Sequence, residues 1–268
     1  MIKCACISLL SVGLLSGASL PEAGPVPEKK PEPKLEQKVP DAPKPEASPK
    51  SQPEAESTKP ATTPDATKPP ADPNAGAKVE PEDEKALASC MDELKSMGAE
   101  FETAPRIDDG NGCGIDKPLI VKSVSQTVKL APAGTMRCET ALELARWMRD
   151  SVAPAAQTAM EKEGGVTTIN QASAYVCRLR NNAATGKISE HARGNAVDIA
   201  SFTFKSGLTV AIQPREEDST LVGAFQRAVT ATGCLYFSTV LDPTSDEAHE
   251  NHLHFDVIER KGGYRYCR

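Results

Sequence analysis

Apolar residues run along this chain in two rhythms, and the change from one to the other predicts how it folds. Residues 84–97, EKALASCMDELKSM, place Leu87, Cys90, Met91 and Leu94 on one stripe at helical spacing, and Gly98 stops the run. Residues 138–152, CETALELARWMRDSV, form the clearest helix: Leu142, Ala145 and Met148 line one side, with Leu144 and Trp147 beside them. Residues 155–163 can extend it beyond Pro154. Between the two helices, 119-LIVKSVSQTVKL-130 alternates and is rich in β-branched residues, which predicts a strand or hairpin. The second half reads as short extended runs: 166-VTTIN-170, 173-SAYVC-177, 196-AVDIASFTF-204 and 208-LTVAI-212. A helix at about 218–232 follows, then 235-LYFSTVL-241 and 253-LHFDVI-258. Helices first and strands after predict an α+β fold, a mainly antiparallel sheet with flanking helices. No internal repeat and no glycine-rich phosphate loop stands out.

Composition limits this folded part to residues 84–268. Residues 20–83 hold 16 of the 22 prolines and no aromatic residue; the first in the chain is Phe101. A segment of Pro, Glu, Lys, Ala and Thr cannot bury enough apolar surface to offset its ordering entropy. A disordered, partly polyproline-II linker is therefore expected over 20–83. Residues 1–19, MIKCACISLLSVGLLSGAS, run from Lys3 through an apolar stretch to Gly17, Ala18 and Ser19, the layout of a secretory signal peptide. That stretch is roughly a dozen residues, short for a bilayer. An uncleaved anchor is the alternative. With the signal removed, no span remains, and the expected location is the periplasm or cell envelope. The net charge of −6 and the lack of a long Lys/Arg run argue against nucleic acid as a partner. Oligomeric state is left open.

Cysteine usage agrees with export. Cys4 and Cys6 would leave with the signal. Cys90, Cys113, Cys138, Cys177, Cys234 and Cys267 remain, with wide spacings and no CxxC pair. An even number of such cysteines in an exported domain predicts disulfides, rather than a metal cluster or a redox motif. About fifteen pairings are open to six cysteines. A bridge from Cys267 would pin the C-terminus, with Cys234 the expected partner.

The four histidines fall in two short places, His191 in 188-ISEHARGNAVDI-199 and the others in 249-HENHLHFD-256. If 252–257 is a strand, His252, His254 and Asp256 share one face at steps of about 7 Å, and Leu253, Phe255 and Val257 share the other. The strand from Ala196 puts Asp198 between two small neighbours, Ala196 and Ala200, with Val197 and Ile199 facing inward. Gly194 lets the chain turn from His191 into that strand. One histidine, one aspartate and one histidine from a second strand make a three-ligand site suited to Zn²⁺.

The run Ser189 to Asp198 fits S-x-H-x-x-G-x-A-x-D at every fixed position. It resembles the zinc D-alanyl-D-alanine peptidases and their relatives, the hedgehog signalling domain and the penicillin-insensitive murein endopeptidases. His252-x-His254 is similar to the HxH of the endopeptidase branch. It departs from the E-x-x-H of the dipeptidase branch, since Asn251 stands where that glutamate would be. The whole of residues 88–268 also resembles the bacterial extensin-like C-terminal family, through 145-ARWMRDSVAPAA-156, 173-SAYVCR-178, 188-ISEHARGNAVDIASF-202, 239-TVLDP-243 and the terminal Cys267 and Arg268.

These resemblances imply a hedgehog/DD-peptidase-like scaffold with His191, Asp198 and His254 as Zn²⁺ ligands. They imply His252 as the catalytic base or as the group that stabilises a charged intermediate, with Glu250 the alternative. Arg178 corresponds to an arginine that holds substrate or the oxyanion, although Val176 and Cys177 interrupt the match; a surface ion pair is its other reading. Asn195 is expected to support a ligand, and Ser189 to cap the turn. Asp256 either orients His254 or faces solvent, and His249 is left to solvent as a bystander. The implied function is a secreted zinc hydrolase that cuts an amide bond in peptidoglycan peptide stems, using a metal-activated water. A non-catalytic, zinc-containing binding domain of the cell envelope is the alternative.

Overall fold

The computed structural model describes residues 73–268. The signal segment 1–19 and the linker up to residue 72 lie outside the described residues. The first helical stripe folds as α1 (Glu84–Ser96), where the Asp83 side chain accepts from the Ala86 amide at 2.7 Å. That bond satisfies one of the donors a helix start leaves without a partner. Strands β1 (Glu100–Thr103), β2 (Ile107–Gly110) and β3 (Cys113–Ile115) follow. The alternating segment forms a hairpin, β4 (Leu119–Ser123) and β5 (Lys129–Met136).

Helix α2 (Cys138–Trp147) passes through a widened π turn at Met148–Val152 into α3 (Ala153–Ala159). Pro154 has no N–H to give, and its ring crowds the preceding turn, so a wider turn at this point lets the helix continue. The expected extension beyond Pro154 is therefore present, but it ends at Ala159, and Glu161–Glu163 form a separate 3-10 turn. Next come β6 (Val166–Ser173), β7 (Ala196–Phe204), β8 (Thr209–Ala211), α4 (Leu221–Gly233), β9 (Thr239–Leu241), β10 (Leu253–Asp256) and β11 (Tyr266–Cys267).

The sheet runs in the order β1-β4-β5-β6-β7-β10-β9-β11, with β8 also on β7. All its pairings are antiparallel except β5 with β6 and β9 with β11. The fold is thus α+β with a mainly antiparallel sheet. Strand β7 is its hub: β6 lies on one edge, and β10 and β8 share the other, at its two ends. Val197, Ile199, Leu253 and Phe255 face one apolar cluster that takes in Leu94, Leu144, Trp147, Ala156 and Phe225 from the four helices. Trp147 meets Phe255 edge-on at 4.9 Å, and its indole N–H donates to Val229 O at 3.0 Å, so its one polar atom is satisfied inside. With that face of β7 and β10 committed to the core, their alternate side chains face away from it.

Several elements differ from the sequence reading. Residues 173–177 are extended only at Ser173, residues 235–238 lead into β9 without joining it, and α4 starts at Leu221 and not near 218. Strands β1 to β3 and β11 carry little apolar alternation; β1 and β2 are half-exposed or exposed, and no pattern marks them. The boundary at residue 83 also moves. Asn74 and Val79 are buried; the Asn74 amide donates to Gly186 O at 2.7 Å, and its oxygen accepts from the Ile188 N–H at 3.3 Å. Glu80 pairs with Arg193 at 2.8 Å. Polar groups thus fix residues 74–82 to the domain, although their composition is that of a linker.

The six cysteines pair as Cys90–Cys138, Cys113–Cys177 and Cys234–Cys267, the last as expected. The bridge between Cys113 and Cys177 spans 64 residues of sequence, and a loop of that size carries about 4 kcal/mol of closure entropy in the unfolded chain. Replacing both cysteines with serine is expected to lower the unfolding free energy by about 2–4 kcal/mol. Urea unfolding followed by circular dichroism checks this, and an unchanged midpoint would contradict it.

Candidate metal centre

Three segments deliver the polar face to one point. Ser189 caps a 3-10 turn, Glu190–Arg193, by accepting from the His191 N–H at 3.4 Å, the role expected of it. Gly194 closes the turn at φ +69°, and a Cβ there would come within 2.3 Å of Ile115 Cδ1, so both backbone angle and space call for glycine. The Gly194 carbonyl accepts from the Arg137 N–H and the Thr140 hydroxyl, each at 2.9 Å, which fixes the turn to the start of α2. Strand β7 then carries Asp198. In the antiparallel register of β7 and β10, His254 lies directly opposite Asp198. Cross-strand neighbours on one face stand close enough for their side chains to meet.

The result is a small triangle of ligand atoms. His191 Nε2 is 3.1 Å from Asp198 Oδ1 and 3.1 Å from His254 Nδ1, and His254 Nδ1 is 2.9 Å from Asp198 Oδ1. All three residues are buried. The outer nitrogen of each ring is engaged: His191 Nδ1 donates to Ala174 O at 2.7 Å, and His254 Nε2 donates to Asp256 Oδ2 at 3.3 Å. Neutral rings held this way turn their lone pairs inward. Three acceptor atoms then face one another at hydrogen-bond distance, which is repulsive unless positive charge sits among them.

A proton or a metal ion can supply that charge. Two imidazole nitrogens and a carboxylate oxygen match zinc chemistry, and ligands of a four-coordinate zinc stand roughly 3.3–3.5 Å apart. Opening the triangle by a few tenths of an ångström would meet that spacing, so the residues fit the ion. In the absence of metal the proton holds the site. Burial works against a charge on His254, but hydrogen bonds to Asp198 and Asp256 outweigh it and raise the imidazole to about 9. Burial likewise works against the Asp198 carboxylate, and the His191 and His254 rings nevertheless hold it well below the usual carboxylate range.

The remaining candidates surround the triangle. His252 Nδ1 donates to Asn251 Oδ1 at 2.9 Å, which leaves Nε2 as its free nitrogen, 3.7 Å from Asp198 Oδ1. Burial holds the His252 imidazole below its ordinary range. Arg178 reaches to 4.0 Å from Asp198 Oδ2 and lines a cavity of about 160 Å³ beside the triangle, with Arg180, His249, Leu241 and Tyr266. Asn195 does not touch a ligand side chain; it donates to Glu190 at 3.0 Å and accepts from Arg137 at 3.3 Å. Glu250 is exposed.

His249 corrects the expectation of a solvated bystander. It is 6 % exposed, its ring meets that of His254 edge-on at 5.7 Å, and its Nδ1 bonds to Asp246 at 2.7 Å. The 3-10 turn Glu247–His249 folds it inward, and no periodicity announces a turn of three residues. Sequence reasoning also missed the Ala174 carbonyl, which as backbone has no residue-type signature, and Thr239 and Arg260, described below.

A family model described as extensin-like protein C-terminus matches residues 88–268. No curated protein and no solved structure matches the chain.

The His254 charge has a consequence for stability. Its folded-state value lies above the ordinary 6.5, so its pairing stabilises the metal-free fold fully below about pH 6.5 and is lost as pH rises through about 9. Thermal melts of the chelator-treated protein are expected to show a midpoint that falls between pH 7 and about 9.5. A His254→Asn variant should lose most of that fall; a parent profile that stays flat would contradict the assignment.

Proposed function

The chain belongs to the extensin-like protein C-terminus family over residues 88–268, and from that premise we propose that this domain is a zinc-dependent hydrolase cutting an amide bond in peptidoglycan peptides. The observation that carries the reading is the buried convergence of His191, Asp198 and His254, with their ligand atoms within 3.1 Å of one another. It gains support from the sequence run Ser189 to Asp198 and the His252-x-His254 pair, which resemble those of zinc D-alanyl-D-alanine peptidases and murein endopeptidases. The signal-like residues 1–19 and the three disulfides favour a location in the periplasm or cell envelope. Among the described residues no helix is long and apolar enough to cross a membrane.

Under this reading His191 Nε2, Asp198 Oδ1 and His254 Nδ1 hold the ion. When bound, zinc supplies Lewis acidity and a water of lowered pKa. The protein supplies the rest. Arg178 offers positive charge at the cavity wall, where a substrate carbonyl oxygen gains negative charge. His252, kept neutral by burial, has a nitrogen free to accept a proton and pass it to the departing amine. Arg178, Arg180 and Arg260 line the same cavity, which suits a peptide that carries carboxylates. A larger polar cavity of about 580 Å³ adjoins it along Arg180 and Glu190 and gives a longer substrate room.

The test is to purify the protein, measure its metal content, and digest muropeptides with and without chelator, reading products by mass spectrometry. Cleavage that chelator stops and zinc restores is expected. Exchange of His252 for alanine should lower kcat by about 10²–10⁴-fold and leave zinc content unchanged. Stoichiometric zinc with no cleavage of any wall fraction would sink the enzyme reading and leave the non-catalytic binding domain in its place.

A further inference from the structure

The two ligand histidines are oriented by different means. His191 leans on a backbone carbonyl, Ala174 O, which no side-chain substitution removes. His254 leans on Asp256, and Asp256 is itself held. Its Oδ1 accepts from the Thr239 hydroxyl at 2.7 Å and from the Ile258 N–H at 3.1 Å. Thr239 Oγ1 in turn accepts from Arg260 Nη2 at 2.6 Å, and Arg260 Nη1 donates to Ser238 O at 2.7 Å. Thr239 and Asp256 are 5 % and 4 % exposed, and half-buried Arg260 closes the chain of bonds at the wall of the cavity beside the triangle.

The chain has a direction. A guanidinium donates and has no acceptor, so the Thr239 oxygen must turn a lone pair toward Arg260. The hydroxyl proton is then left for Asp256. Asp256, saturated with donors on Oδ1, remains an acceptor at Oδ2, and the proton on the outer side of His254 belongs to Nε2. In the neutral ring this leaves the lone pair on Nδ1, the atom that faces His191 and Asp198.

We infer that Thr239 and Arg260 are positioning residues of the metal centre, which act through Asp256 to fix the tautomer and ring angle of His254. The inference rests on the metal-binding reading of the triangle. Neither residue touches the triangle itself, and both sit on segments that approach it from beyond β10. They select for a divalent cation that accepts imidazole nitrogen, because they fix which nitrogen is offered.

The test compares zinc affinity, by chelator competition, in the intact protein and in variants. Thr239→Val keeps the branched shape and removes the hydroxyl; Arg260→Met removes the terminal donor. Each is expected to weaken zinc binding about 10–100-fold, the usual effect of losing a partner that orients a metal ligand. Thr239→Ser should restore affinity to within about 3-fold, and Co²⁺-loaded Thr239→Val should show a shifted visible absorption band. Urea melts of the metal-free variants identify any that fail to fold, in which case the other variant decides. If the parent binds zinc and Thr239→Val binds it equally with an unchanged cobalt spectrum, this inference is overturned and the metal reading stands. If the parent binds no divalent metal, both fall.

Discussion

The structure turns on one constraint: three buried lone-pair atoms, His191 Nε2, Asp198 Oδ1 and His254 Nδ1, face a common point. Such a cluster costs free energy without a cation, and buried polar groups carry that cost unless every remaining valence is satisfied. The fold meets this demand locally. The outer nitrogen of each imidazole has an acceptor. The Gly194 turn, which delivers His191, is tied by its carbonyl to the start of α2. The β7–β10 register, which sets His254 against Asp198, is enforced from the other face, because slipping it by one residue would drive Leu253 and Phe255 out of the core and the polar groups into it. Core packing and site geometry are thus two faces of one alignment.

That coupling explains how much of the centre was legible in the sequence. Alternation in 196-AVDIASFTF-204 and 253-LHFDVI-258 assigns faces, and glycine at 194 marks the turn, so pattern and residue type bring His191 and Asp198 toward the histidines of the second strand, while the choice of His254 over His252 came from the family resemblance. The α+β class followed from the change of rhythm along the chain. What was not legible lies outside pattern. Strands β1 to β3 and β11 are short or exposed and bury no regular stripe. His249 sits in a turn of three residues whose inward fold depends on Asp246 and on the rings it meets. Asn74 docks by side-chain hydrogen bonds to Gly186 and Ile188, and Glu80 by an ion pair, from a segment with linker composition. Contacts of this kind depend on where a distant partner arrives, and no local propensity encodes that.

The two imidazoles also differ in how far they can be tuned. A backbone carbonyl orients His191, so its support changes only when the chain path changes. A series of side chains orients His254, and each member can vary alone. Substitutions at Asp256, Thr239 or Arg260 can therefore alter the orientation and basicity of His254 and leave the frame of the site intact.

The disulfides follow the same logic. One end of each bridge lies next to a support of the triangle. Cys138 adjoins Arg137 and precedes Thr140, the residues that hold Gly194. Cys177 lies between Ala174, whose carbonyl orients His191, and Arg178. Cys267 is on β11, which runs beside β9, and β9 carries Thr239. The helix side of the sheet is locked by packed aromatic and aliphatic side chains. On the polar side the described residues form a smaller apolar cluster, Cys113, Ile188 and Ala192 with Leu179 against them, and apolar packing is what usually makes an interior rigid. Covalent bridges placed at the roots of these turns add to the rigidity that this small cluster gives. Three converging lone pairs keep their geometry only if their supports do not relax, and the positions of the bridges match that requirement.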